Sequence, residues 1–365
     1  MRHLGWVLLL AGLVTVGCGN SRLSAAPVAS TPSASPTPEP TARIPVPTPV
    51  PSPSPTPGPR LRPLTSNGCC VQPFWSPDGQ EIWFLDRPRP DAPVGIWGIS
   101  RTGGAPRLVT TRLGVFSPDY RRRAYPEGGQ TIIEDLKTGE RWIAPNGGRA
   151  VVFSPDGEWI AWEVSAGEAP SLDRRVTTLW ISRVDGREAR PVLQLVGGGF
   201  SGWFPDGRRA LVITRETSGA DPFLAVVNLQ DGSLRPIARG QRLRGAQISP
   251  AGGWVAYQSL FAVDPAQNGL WVVRADGTES RRLSVFGAYR WRSEGRLLVI
   301  PLEPGAPSHR VLEIDAATGA VRPLTDPSAL RFRIAGGDWA LSPDGRRIVF
   351  VSAMDRNLWL LELPE

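Results

Sequence analysis

Ser76-Pro77-Asp78-Gly79, approached by Phe74-Trp75 and followed by Glu81-Ile82-Trp83-Phe84-Leu85, decides the fold of this 365-residue chain because it returns six more times. The later copies are Ser117-Pro118-Asp119-Tyr120, Ser154-Pro155-Asp156-Gly157, Phe204-Pro205-Asp206-Gly207, Ser249-Pro250-Ala251-Gly252, Arg292-Ser293-Glu294-Gly295 and Ser342-Pro343-Asp344-Gly345. They begin 41, 37, 50, 45, 43 and 50 residues apart. A proline at the second position with Asp-Gly after it closes a tight turn, so each copy joins two short strands. An interval averaging about 44 residues is the length of one four-stranded propeller blade.

Working outward, Gly95-Ile96-Trp97-Gly98-Ile99-Ser100 reads as a third strand, Thr102-Gly103-Gly104 as a turn and Arg107-Leu108-Val109-Thr110 as a fourth strand. Leu179-Trp180-Ile181 with Asp185-Gly186, and Leu270-Trp271-Val272 with Asp276-Gly277, repeat that grammar. No long stretch has apolar residues at helical spacing. Short β-rich runs punctuated by Gly and Pro every 8 to 12 residues or so predict an all-β body. The seventh unit stops after Leu358-Trp359-Leu360-Leu361, one strand short. Arg62-Pro63-Leu64-Thr65 repeats Arg322-Pro323-Leu324-Thr325, the fourth strand of the sixth unit. The expectation is therefore a seven-bladed β-propeller whose last blade is completed by residues 60–66, which removes the edge an open array would expose.

These units resemble the WD40-like repeats of the TolB-type propeller family, with its pattern W-S-P-D-G-x-x-I-x-F and then L-W-x-x-x-x-D-G, over roughly residues 60–365. Similar propellers form the N-terminal halves of prolyl-oligopeptidase-type serine peptidases. The resemblance implies the scaffold. With no TolB-like α/β domain before it and no hydrolase domain after it, neither a Tol-system role nor peptidase activity is expected.

Residues 1–17 read as a secretory signal, with Arg2, an apolar run from Leu4 to Val16 and a small residue before Cys18. The run is too short for a comfortable spanning helix. Thr15-Val16-Gly17-Cys18 resembles the bacterial lipobox, whose cysteine is lipidated, although Thr15 stands where that motif usually has Leu. The other reading is an ordinary cleaved signal with an incidental cysteine. Pro27 to Pro59 holds 13 prolines and almost no charge or large apolar side chain, so it cannot collapse into a core. As polyproline II it would span about 100 Å. Residues 18–59 are thus expected to be a lipid-anchored, proline-rich linker that displays the body at the periplasm or cell surface.

The formal net charge is +7, but residues 60–365 carry 38 basic against 33 acidic side chains, or +5, with Lys137 the single lysine. That balance lacks the clustered basic face of a nucleic-acid binder, so no nucleic-acid partner is expected.

Catalytic motifs are sparse. His309 is the one histidine beyond the signal, so any serine or cysteine triad must use it. It falls at a loop edge, and a structural role is expected. Gly199-Phe200-Ser201-Gly202 approaches G-x-S-x-G but ends with Trp203. Neither a calcium loop nor a histidine-rich set occurs, so no metal or cofactor is expected. The turn carboxylates Asp78, Asp119, Asp156, Asp206 and Asp344 read as turn braces. Trp97, Trp180, Trp271 and Trp359, equivalent in four blades, read as packing between sheets. Adjacent Cys69 and Cys70 read either as a vicinal disulfide or as a buried thiol pair.

Where the repeat breaks, function is sought. The second-to-third and fourth-to-first connections share one face, opposite the tight turns. On that face Arg87–Val94, Ser165–Thr178, Arg215–Pro222, Leu260–Asn268, Leu302–Ser308 and Pro327–Gly337 are long. Their candidate binding residues are Arg87, Arg89, Asp91, Asp173, Arg174, Arg175, Arg215, Glu216, Asp221, Asp264 and Glu303. Blade two has only Pro126-Glu127-Gly128-Gly129 there, a low point in the rim. Mixed charge on long loops suits a monomeric binding module for a protein, peptide or envelope component. A propeller lyase or hydrolase with carboxylates and arginines at the channel mouth is the alternative.

Overall fold

A computed structural model describes residues 58–167 and 171–364, so the signal segment, Cys18 and the proline-rich stretch lie outside the described residues. Seven four-stranded antiparallel sheets follow one another in chain order. Blade one, from channel to rim, is Val71–Trp75, Glu81–Asp86, Gly95–Ser100 and Arg107–Thr110. Each sheet packs between two neighbours, so its middle strands are apolar on both faces. Ile82 and Phe84 of blade one, for example, are wholly buried in a cluster with Val349, Val351, Leu358 and Leu360 of blade seven.

Blade seven comprises Ile334–Leu341, Arg347–Ser352 and Leu358–Glu362, with Arg60–Pro63 as its outer strand. The closing strand runs antiparallel, pairing Arg60 with Glu362 and Pro63 with Trp359. The Arg-Pro-Leu-Thr echo is literal at the atomic level. Leu64 N–H donates to Leu358 O (2.8 Å) and Thr65 Oγ1 accepts from Leu358 N–H (3.0 Å). In blade six, Leu324 N–H donates to Val311 O (2.9 Å) and Thr325 Oγ1 accepts from Val311 N–H (2.8 Å).

In the Ser-Pro-Asp-Gly turns the serine hydroxyl is the hub. Ser76 Oγ donates to Asp78 Oδ1 (2.6 Å) and accepts from Glu81 N–H (2.9 Å), while Asp78 Oδ1 accepts from Gln80 N–H (3.0 Å). The irregular copies are explained by neighbours. Ala251 leaves blade five without its turn carboxylate. Glu294 of blade six supplies one, accepting from Ala251 N–H (2.8 Å) and Gly253 N–H (3.1 Å). Arg292, standing where serine is the hub, reaches instead to Gly345 O and Pro364 O (3.1 and 2.7 Å) and to Glu313 (2.8 Å). In blade two Tyr120 takes the left-handed turn position (φ 57°). Its ring stacks on Phe116 and its hydroxyl donates to Trp75 O (2.8 Å), which holds a conformation otherwise left to glycine.

Two sequence expectations change in detail. The third blade's loop is shorter than residues 165–178, because strands extend through Ser165 and resume at Val176. Of the four equivalent tryptophans, Trp97 is buried and the other three are half-buried. They pack against inter-blade clusters, and three also clasp the loop before them. Trp97 Nε1 donates to Pro93 O, Trp271 Nε1 to Gln267 O and Trp359 Nε1 to Asp355. Blade two's connection narrows to a tight hairpin with Gly128 and Gly129 at positive φ.

Candidate functional site

The long-loop face carries two neighbouring recesses that share the inner strand of blade five, Leu243–Ile248. The first, about 600 Å³, lies over blade six, and its wall includes Arg290, Glu303, His309, Arg333 and Trp339. The second, about 680 Å³, spans blades three to five, and its wall includes Asp173, Arg215, Asp221, Arg242 and Arg244.

Inner-strand register explains the first recess. Two residues before each turn the side chain can reach the following blade, as Phe74 does to Tyr120 and Arg290 to Trp339. The occupants are Phe74, Val115, Val152, Gly202, Gln247, Arg290 and Ala340. Arg290 is the one charged residue among them. It stacks over the Trp339 ring (5.1 Å) and donates to Tyr289 O (2.8 Å), with no carboxylate partner among the described residues. Burial lowers its pKa. Arg333, exposed at the start of blade seven's inner strand, likewise has no ion-pair partner among the described residues.

Trp339 departs from its counterparts. Trp75, Trp203 and Trp291 each sit one residue before a turn, and each donates Nε1–H to an inner-strand carbonyl of the preceding blade. The acceptors are Ala340 O (3.3 Å), Val152 O (3.2 Å) and Gln247 O (3.0 Å). Trp339 lies two residues nearer the loop face, is only 4% exposed, and its Nε1–H has no partner among the described residues. Leaving a buried donor unsatisfied costs about 1–3 kcal/mol, so this N–H is a donor open to an acceptor that enters the recess.

His309 ties the blade-six loop to blade seven. Its N–H donates to Phe332 O (2.8 Å) and its Nδ1 accepts from Ile334 N–H (3.1 Å). That contact leaves the ring proton on Nε2. Burial, reinforced by nearby Arg333, holds its pKa below the ordinary 6.5, with Glu303 pulling the other way. Glu303 itself is paired with Arg310. Because the folded state protonates His309 less readily than the unfolded chain, its contribution to stability is full above about pH 6.5 and shrinks as pH falls below it. Urea melts at pH 7.5 and 5.0 should therefore show wild type losing stability relative to His309→Asn, whose amide oxygen preserves the acceptor for Ile334. Identical acid slopes would refute this account of the ring.

The other candidates scatter. Asp173 pairs with Arg215 (2.8 Å) beside Asp221 at the second recess. Arg174 is exposed on a short 3-10 turn, and Arg175 is half-buried with its Nε unpartnered. Glu216 pairs with Arg239 on the surface (2.9 Å). Asp264 caps the turn Pro265–Gln267, accepting from Ala266 N–H (2.9 Å). Arg87, and the exposed Arg89–Asp91 pair (3.2 Å), stand apart on blade one. Cys69 and Cys70 are joined as a disulfide, Cα atoms 3.7 Å apart, between the closing strand and blade one. Among the described residues no three His, Cys, Asp or Glu side chains converge as metal ligands.

Sequence reasoning passed over Arg242, Arg244, Arg290, Arg333 and Trp339, and saw in His309 only a structural role. Two signals were present: the lone charge two residues before a turn and a tryptophan out of line with its counterparts.

No protein-family profile and no curated protein matches the chain. Solved structures do. An oligogalacturonate lyase in complex with manganese aligns with 84% of this chain and 91% of its own at TM-score 0.57 and 14% identity. The oligogalacturonate lyase of Vibrio parahaemolyticus aligns with 84% and 98% at 0.58 and 12%. The β-propeller domain of the Trilobed protease from Pyrococcus furiosus aligns with 80% and 96% at 0.55 and 13%. Proteins described as TolB, from Agrobacterium tumefaciens and Acinetobacter baumannii, also match, at TM-scores of 0.41 and 0.38. Identities this low are a likeness of fold alone, and the fold is that of a seven-bladed β-propeller.

Proposed function

We propose that this protein is a non-enzymatic binding module, lipid-anchored outside the cytoplasm through Cys18, which engages a protein, peptide or other envelope component through its long-loop face. One observation carries the reading. Arg242, Arg244, Arg290 and Arg333 gather on that face with no carboxylate partner among the described residues, beside exposed Phe261 (72%), Val263 (87%) and Leu302 (66%). Unpaired arginines next to apolar side chains are the composition of a recognition surface. On the turn face Arg121, Arg183, Arg209, Arg296 and Arg347 are each paired with a carboxylate. The proline-rich segment gives the body reach, and a tethered, basic loop face suits a partner with acidic groups.

The full chain, used as bait in envelope extracts, is expected to enrich a partner that the doubly charge-reversed Arg242→Glu/Arg244→Glu variant captures roughly tenfold less. Turn-face Arg208→Glu should capture it as wild type does. Equal capture by all three proteins would sink the reading. Cys18→Ser should release the chain from membranes. If no partner is enriched, yet a substrate screen finds a turnover that Arg290→Gln abolishes, a lyase or hydrolase replaces the binding module.

A further inference from the structure

The recess over blade six gathers donors and positive charge. Arg290 and Arg333 lack carboxylate partners among the described residues. The buried Trp339 Nε1–H has no partner among the described residues, and His309 presents an Nε2–H because Nδ1 is already taken. The nearby carboxylate, Glu303, is bound to Arg310. Phe286, Ile300, Pro301, Leu302 and Ile334 make much of the remaining wall apolar, while Gln247 and Gln258 spend their amide N–H groups on Tyr289 O and Gly287 O (3.3 and 3.0 Å). A volume of about 600 Å³ is within the range of small-molecule pockets.

We infer that this recess captures a carboxylate borne on an apolar body, with Arg290 and Arg333 as its cations and Trp339 and His309 as its neutral donors. A guanidinium fork matches the two oxygens of a carboxylate. Arg290, held over the indole ring and partly withdrawn from water, loses little freedom on binding. The apolar walls favour a singly charged head with hydrocarbon behind it over a dianion. Such a group ends a peptide with an apolar last residue, and it equally belongs to a free organic acid. The inference rests on the long-loop face being a binding surface, and it names the chemistry one part of that surface selects.

Calorimetric titration of the full chain tests it with four probes: N-acetylphenylalanine, its amide, and an N-acetylated hexapeptide of five alanines and a C-terminal phenylalanine, as acid and as amide. Each acid should bind at least about tenfold more tightly than its amide, the worth of a charge-assisted hydrogen bond. Arg290→Gln and Arg333→Gln should each weaken the acids by about tenfold. Trp339→Phe, which keeps a ring and removes the N–H, should weaken them by about fivefold. Since Arg290 also packs on Trp339, the exposed Arg333 carries the comparison if Arg290→Gln melts early. A hexapeptide acid about tenfold tighter than N-acetylphenylalanine assigns the site to peptide termini, and equal affinities assign it to free acids. Amides that match the acids, failure of both acids to bind, or an Arg333→Gln protein that binds as wild type does overturns the inference. If the acids fail while partner capture still depends on Arg242 and Arg244, the binding module stands and only this assignment falls.

Discussion

Deleting residues 60–66 is expected to abolish cooperative unfolding of the body, or to lower its midpoint by well over 10 °C. The segment supplies the outer strand of blade seven, which pairs with Leu358–Glu362. It also inserts Leu64, 8% exposed, into the cluster shared by blades one and seven. Arg62 additionally donates to Arg101 O of blade one. Burying one leucine is worth about 1.5–3 kcal/mol, and each ladder hydrogen bond about 1 kcal/mol. With about four such bonds across the four paired positions, the sum is about 5.5–7 kcal/mol, a third or more of the 5–15 kcal/mol typical of a folded domain. Deletion also bares the Leu358–Glu362 edge to pairing with other chains. Thermal and urea melts, with light scattering to follow association, measure both effects; an unchanged melt would show that the ring closes by other means.

Arg292→Ala is expected to destabilise the protein by about 3–5 kcal/mol, the range for breaking a buried ion pair. The arginine side chain is 11% exposed and that of its partner Glu313 is 8% exposed, with Arg322 bonding the same carboxylate. Burial pushes the Glu313 pKa up, yet the two guanidiniums outweigh it and hold the carboxyl below its ordinary value. Removing Arg292 leaves the buried Glu313 carboxylate with the half-exposed Arg322 as its remaining cation and cuts the links to Gly345 and Pro364 that fasten blade six to blade seven. Urea melts should show the loss. Arg292→Met combined with Glu313→Leu should recover much of it, because no uncompensated charge then stays buried. If the double variant is less stable than Arg292→Ala, the brace acts through its carbonyl contacts, and the ion-pair account is wrong.

Both predictions fall where the repeat deviates, which marks how far sequence reading went. Strand, turn and strand are local matters: proline sets φ, serine and aspartate bond amides a few residues away, and apolar runs pack wherever sheets face each other. Those rules need no knowledge of neighbours, so seven copies gave seven blades. The closing strand was legible for the same reason, as Arg62-Pro63-Leu64-Thr65 carries the local chemistry of an outer strand. The roles of Glu294 and Arg292 were not legible. Each looks like a decayed turn residue until the adjacent blade places backbone amides or carbonyls within reach. The candidate site followed the same division. Charged residues on long loops were easy to nominate, but Asp264 proved a cap and Glu216 half of a surface pair. Arg242, Arg244, Arg290 and Arg333, which have no carboxylate partner among the described residues, sit on inner strands or their approaches.

By itself, the sequence determined the blade count, the turn chemistry and the strand that closes the ring, because each depends on contacts within a few residues or on a repeated pattern. Tertiary structure alone decided which departures from that pattern brace neighbouring blades, and it alone brought Arg290, His309, Arg333 and Trp339 around one recess. These four residues come from two blades and the connection between them, and what each side chain is left free to bind depends on partners that only packing supplies.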